Sequence, residues 1–304
     1  MQCHRQRRPP VHLNEIQMRD PFVLCDLQSA TYYLYGTTDK DPWRARGVGF
    51  EAYTSRDLAQ WEGPIPIFTP PEGFWATHNF WAPECHVYRG RYYLFASFKA
   101  EGRRRGTQIL ASDGPLGPFV PISEAPVTPA DWECLDGTLH TDQEGSPHLV
   151  FCHEWVQVND GEVCVLPLSE DLREAIGSPR LLFRASEAAW TASLPRRDGS
   201  LLVDARVTDG PFLHRGRDGD LFMLWSSKGE GGYAMGYAKS ESGSIDGPWV
   251  QQSEALITAD GGHGMIFTTF EGELMLTYHA PNNTPDERPI FVPIEERGGE
   301  LVCR

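Results

Sequence analysis

The chain has 304 residues, and its 42 acidic against 27 basic side chains give a formal net charge of −15, which disfavours nucleic acid and anionic membrane surfaces as partners. Aromatic residues make up 11% of the sequence, nine of them Trp, a rich allotment that suits the C–H faces of sugar rings, although core packing must claim most of them. No apolar run is long enough to cross a membrane, and no organic cofactor is expected.

The first stretch, Met1 to Pro10, is basic, but no apolar core of the length a secretory signal needs follows it. Residues 1–12 are expected to form a flexible basic segment ahead of a single domain over 13–304, in a cytoplasmic protein acting on short imported saccharides. Five aromatic-rich strands then recur: Thr31–Thr37, Arg91–Ser97, Pro147–His153, Asp220–Ser226 and Glu273–His279. Four follow Gly-containing turns at Gly90, Gly145, Gly219 and Gly272, so each reads as the second strand of a hairpin. Polar turns at Ser55–Pro64, Ser112–Phe119, Ser169–Pro179 and Ser240–Trp249 mark the outer edges of the same units. Seven cysteines lie scattered along the chain without a C-x-x-C pair, which suits reduced, mostly buried thiols.

Units of this kind, repeated at wide and fairly regular intervals with no substantial helical periodicity, predict an all-β, five-bladed β-propeller of four-stranded antiparallel blades. In such a fold the first strand of every blade lines the central channel, so the starts of these strands meet on the axis. Those starts are Asp20-Pro21-Phe22, Ala82-Pro83-Glu84, Asp136-Gly137-Thr138, Asp209-Gly210-Pro211 and His263-Gly264-Met265. Three place Asp, and one His, at what reads as the same position, with Glu84 off register. One strand-start Asp is as readily a turn residue, but several carboxylates on one axis split one another's pKa values, as glycosidic cleavage requires.

The ordered series Arg19-Asp20-Pro21-Phe22, Phe80-Trp81-Ala82-Pro83-Glu84, Leu135-Asp136-Gly137-Thr138, Asp209-Gly210-Pro211 and Gly262-His263-Gly264 resembles glycoside hydrolase family 43, the clan of five-bladed propellers that includes arabinofuranosidases, xylosidases and arabinanases. The resemblance implies that Asp20 is the general base and Asp136 the modulator of the acid. The family acid is a Glu before Gly-Pro, where this chain has Asp209, one methylene shorter. Either Asp209 serves as acid, or Glu154 or Glu84 does, or the protein binds sugar without cleaving it. The resemblance also implies that His263 faces a Ca2+ ion, or its water shell, on the axis, and that Arg288 reaches the active site.

Trp43, Trp75, Phe80 and Trp81 lie in loop-like stretches, which makes them candidate sugar platforms, with core packing the alternative for each. The expected function is an inverting hydrolase of α-L-arabinofuranosyl or β-D-xylosyl linkages whose partner is an oligosaccharide or glycoside. A catalytically silent carbohydrate-binding propeller and a transferase or phosphorylase of related fold are the alternatives. The sequence leaves the oligomeric state open.

Overall fold

The computed structural model describes residues 9–194 and 205–304. Five antiparallel sheets are arranged in chain order around an axis. Blade 1 holds β1 (Val11–His12), β2 (Arg19–Asp26), β3 (Thr31–Thr37), β4 (Phe50–Ser55) and β5 (Gln60–Phe68). Blade 2 holds β6 (His78–Tyr88), β7 (Arg91–Lys99), β8 (Gly106–Ser112) and β9 (Val120–Pro121). Blade 3 holds β10 (Cys134–Thr141), β11 (Pro147–His153), β12 (Glu162–Pro167) and β13 (Arg180–Arg184), and blade 4 holds β14 (Asp209–Arg215), β15 (Leu221–Gly229), β16 (Gly232–Ser240) and β17 (Trp249–Gln251). Blade 5 holds β18 (Gly262–Thr268), β19 (Leu274–Ala280), β20 (Arg288–Arg297) and β21 (Glu300–Cys303).

The fold is an all-β five-bladed propeller. Four blades have four strands, and blade 1 gains a fifth because Val11 and His12, expected within the N-terminal segment, pair with Trp61 and Gln60. Residues 1–8 of that segment lie outside the described residues.

The aromatic strands sit second in each sheet because they are packed on both faces, between one blade and the next. In β3 every residue from Tyr32 to Thr37 is buried, and β11 is buried at all positions but His148, so apolar residues run on without strict alternation. Their hairpins turn on glycines in the left-handed region, such as Gly90 at φ 79° and Gly219 at φ 90°, a conformation that costs glycine little. Between blades 1 and 2, Phe50, Phe68, Phe80 and Phe98 form one aromatic cluster, with Phe80 and Phe98 4.9 Å apart edge to face.

Among the described residues no strand is exchanged between the first and last blades. The ring closes through side chains and one backbone bond: Arg19 donates to Asn282 Oδ1 at 2.7 Å and pairs with the buried Glu287 at 3.4 Å, Tyr32 Oη accepts the Phe270 N–H at 2.8 Å, and the Met18 N–H donates to the Glu287 carbonyl at 3.3 Å. Six cysteines are free thiols, four of them buried; Cys3 lies outside the described residues.

Candidate active site

Every first strand carries the same irregularity where it reaches the axis. Pairing with the second strand skips two residues between Arg19 and Phe22, Trp81 and Glu84, Leu135 and Thr138, Asp209 and Phe212, and Gly262 and Met265. The first skipped residue is left-handed each time: Asp20 (φ 53°), Ala82 (46°), Asp136 (54°), Gly210 (52°) and His263 (50°). For the four that are not glycine this costs on the order of 1–2 kcal/mol each. The bulge recurs at five equivalent points, and at three of them it turns Asp20, Asp136 and His263 out of the sheet and into the channel.

Three Asp in one register were expected, and the structure corrects this. Asp20, Asp136 and His263 share a position, but its counterpart in blade 4 is Gly210, and Asp209 stands one residue earlier, level with Arg19 and Trp81. A side chain at 210 is excluded because its Cβ would lie 2.6 Å from the His263 ring. Glu84 lies two residues past Ala82, where its carboxylate meets His86 Nε2 at 2.9 Å; it does not line the axial cavity.

The backbone N–H of each left-handed residue is satisfied from the preceding blade. Thr37 Oγ1 accepts from Ala82 at 2.8 Å, Ser97 Oγ from Asp136 at 2.9 Å, Ser226 Oγ from His263 at 2.7 Å and His279 Nδ1 from Asp20 at 3.1 Å. In blade 3 the corresponding residue is Cys152, opposite Leu135, and there Gly210 donates to Asp136 Oδ2 at 3.0 Å instead.

Because His279 Nδ1 accepts a backbone proton, its own proton belongs on Nε2. Burial, with Arg19 nearby, pushes its pKa down to about 3, so its 3.6 Å approach to Asp20 is not an ion pair. His263 Nδ1 faces Asp20 Oδ1 at 3.2 Å and Asp136 Oδ2 at 3.6 Å, so its proton belongs on that nitrogen.

These contacts separate the carboxylates. Burial opposes charge on Asp20, but His263, Arg19 and the Thr37 hydroxyl at 2.7 Å together hold it below its ordinary range. Asp136 is pushed well above, by burial and then by the charge of Asp20. Asp209 is raised to about 7 by burial and by Asp136, against the opposing pull of His263 and of the Tyr233 hydroxyl, which donates to its Oδ2 at 3.0 Å. The three carboxyls line a cavity of about 590 Å³ together with Trp43, Trp81, Trp155, Lys228, Tyr233 and Asn282. One carboxylate kept charged and one kept protonated near neutrality are the parts required to activate water and protonate a leaving oxygen.

The sequence matches glycosyl hydrolases family 43 over residues 12–294. The chain belongs to that family. It is a glycosidase. The crystal structure of an endo-arabinase from Bacteroides thetaiotaomicron VPI-5482 is 42% identical and superimposes with a TM-score of 0.88 over 96% of this chain and 99% of its own. The extracellular exo-α-(1→5)-L-arabinofuranosidase ArbA of Cellvibrio japonicus (strain Ueda107) is 22% identical over 279 residues, 83% of this chain and 72% of its own length. The extracellular endo-α-(1→5)-L-arabinanase 1 of Bacillus subtilis (strain 168) is 27% identical over 129 residues, 37% of this chain and 40% of its own length. The expected cytoplasmic location does not stand, since both of these curated relatives are extracellular enzymes.

Of the four candidate platform residues, Trp43 and Trp81 line the axial cavity. They meet edge to face at 5.0 Å; Arg19 lies over Trp43, and Arg105 over Trp81 at 4.3 Å. Phe80, expected as a sugar platform, is instead 1% exposed and belongs to the core cluster, because its strand turns it between blades. Trp75 lines a different depression. Arg288 does not reach the cavity: its guanidinium is spent on the carbonyls of Asn14, Pro285 and Glu287. Glu154 does line the cavity, with its carboxylate paired to the buried Arg105.

The implied calcium ion would find few direct protein ligands at the axis, and its water shell would have to supply the rest. Calcium takes six to eight oxygen ligands, whereas His263 turns Nδ1 to two carboxylates, and among the described residues no group of three or more His, Cys, Asp or Glu side chains is arranged to hold a metal. Sequence reasoning missed Tyr233, Arg105, Thr37 and His279. The last two stood at the ends of recognised aromatic strands and were open to detection, but nothing local marks Tyr233 or Arg105.

Proposed function

We propose that this family 43 glycosidase hydrolyses α-1,5-linked L-arabinofuranosyl units with inversion, Asp20 serving as base, Asp136 as modulator and Asp209 as acid. The observation that carries the reading is the opposed ionisation of Asp20 and Asp209 in one aromatic-walled cavity, the first held below its ordinary range and the second raised to about 7. The arabinan-directed relatives support the choice of sugar over a β-D-xylosyl linkage.

Asp20, kept charged by His263, would accept a proton from water as the water oxygen bonds to the anomeric carbon. Asp209 would give its proton to the glycosidic oxygen as the bond to the leaving sugar breaks. Asp136 would act on Asp209 through charge and through the backbone of Gly210, which it holds. The base and the acid come from blades 1 and 4, an arrangement suited to the wider carboxyl separation, ~6.5–9.5 Å, that admits a water molecule.

The test is to incubate the purified protein with linear arabino-oligosaccharides, an aryl α-L-arabinofuranoside and an aryl β-D-xyloside, following the first-formed anomer by proton NMR. Release of inverted arabinose or arabino-oligosaccharide is expected. A retained anomer would make Asp20 a nucleophile. Saturable binding without turnover of any substrate would favour a sugar-binding protein, the reading that the Asp209-for-Glu departure suggests.

A further inference from the structure

Trp75 lines a second depression, of about 750 Å³, on blade 2. Arg105 forms the wall between it and the axial cavity, since it lines the depression while its guanidinium pairs with Glu154 and lies on Trp81, both of which face the axis. Arg105 is only 7% exposed, and its Nε has no hydrogen-bond partner.

The charge of this depression is opposite to that of the protein. With the Arg105 guanidinium paired to Glu154, it gathers three further cationic side chains, Lys99, Arg103 and Arg104, against two carboxylates, Glu101 and Glu133, on a chain of formal charge −15. Glu133 is already saturated: Lys99 reaches both its oxygens at 2.9 and 3.1 Å, Arg104 one at 3.3 Å, and the Arg105 backbone N–H the other at 2.9 Å. Arg103 is unspent. Its guanidinium lies 5.9 Å from the centre of the Trp75 ring and has no hydrogen-bond or ion-pair partner among the described residues. A cation within cation–π reach of a Trp in a pocket lining, with its donor fork free, is available to a carboxylate.

We propose that this depression is a subsite for an acidic sugar, a uronate unit attached to or neighbouring the chain being cut, with Arg103 taking the uronate carboxylate. The proposal rests on the protein acting on glycans and adds a charged substituent to the substrate class. A uronate fits better than free phosphate because the basin adjoins the cavity across a single side chain, so one glycan could occupy both.

The probe is trigalacturonate, titrated into the full protein by calorimetry and by Trp fluorescence, with neutral arabinotriose and inorganic phosphate as controls. Arg103 and Arg104 are exposed, so the double variant R103Q/R104Q is expected to fold. Saturable binding that weakens with salt and falls roughly tenfold or more in the double variant supports the subsite. Binding that the double variant leaves unchanged, no binding at millimolar concentration, or equal competition by phosphate each overturns it. Hydrolysis of arabino-oligosaccharides is scored separately. Uronate binding without arabinoside cleavage sinks the arabinan reading alone, and cleavage without uronate binding sinks this one alone.

Discussion

The backbone N–H of Gly210 donates to Asp136 Oδ2 at 3.0 Å, so the residue that follows Asp209 is fastened to the carboxylate of the neighbouring blade. Elsewhere around the axis the same N–H is met by a hydroxyl or an imidazole. Blade 3 offers a thiol at that point, and the carboxylate takes over. Asp209 and Asp136 are therefore coupled twice, through charge and through one peptide unit.

If Asp209 protonates the leaving oxygen, Asp209→Asn should lose on the order of 10²–10⁴-fold in kcat on oligosaccharides, whose leaving alkoxide needs the proton. Activated aryl glycosides should lose much less. Glu154→Gln removes a charge already neutralised by Arg105 and should show no such dependence on the leaving group. Kinetics on a series of aryl leaving groups separates the two, and a selective loss in Glu154→Gln would transfer the role of acid.

Tyr233 stabilises the charged form of Asp209 by donating to its Oδ2, so Tyr233→Phe should raise the pKa of Asp209 above its present value of about 7. The acid then keeps its proton to higher pH. The alkaline limb of kcat/KM, expected near 7 in the parent, should move upward by ~1 unit, while the acidic limb set by Asp20 stays below its ordinary range. An alkaline limb that stays in place would detach Tyr233 from the titrating acid.

The repeat, the five aromatic strands and the axial Asp20, Asp136 and His263 were legible because each is written locally: hairpin glycines, apolar runs buried on both faces, and a short motif at each strand start. The register of Asp209 was not. Whether the left-handed residue is 209 or 210 depends on where the bulge falls, and the space denied to a Cβ by His263, a residue from another blade, favours glycine at 210. The misplacement of Phe80 has a similar origin. Its motif looks like a loop, yet Phe50, Phe68 and Phe98 from two blades close around it. Partners brought together only by strand packing, such as Tyr233 and Asp209 from two non-adjacent strands of blade 4, leave no trace at either position in the chain.

Raising Asp209 to about 7 has a cost in stability with a definite sign. The folded carboxyl keeps its proton where the unfolded one, near 3.8, has lost it, so between those values the native state binds more protons and stability falls as pH rises. Above about 7 the penalty is complete. Asp209→Asn carries no such group, so its melting temperature relative to the parent should rise between pH 5 and pH 8. Calorimetry at the two pH values measures it, and a difference that is constant or reversed would mean that Asp209 is charged throughout.

Cys152 occupies the position held in other blades by Thr37, Ser97, Ser226 and His279, and its thiol is fully buried beside Asp136 and Asp209. A thiol is a weak acceptor, which leaves the Gly210 N–H to Asp136. Cys152→Ser restores a hydroxyl nearly isosteric with the thiol at the point where the ring elsewhere uses one, and it should draw the Gly210 N–H away. Asp136 then loses a bond that favours its charged form, and its pKa rises further. A less charged Asp136 raises Asp209 less, so the alkaline limb of kcat/KM should shift to lower pH, with a several-fold loss of rate at pH 7. Cys152→Ala supplies no acceptor and should leave the limb where the parent has it. Identical pH profiles in the Ser and Ala variants would show that the thiol does not set the partner of Gly210, and the coupling of Asp136 to Asp209 would then rest on charge alone.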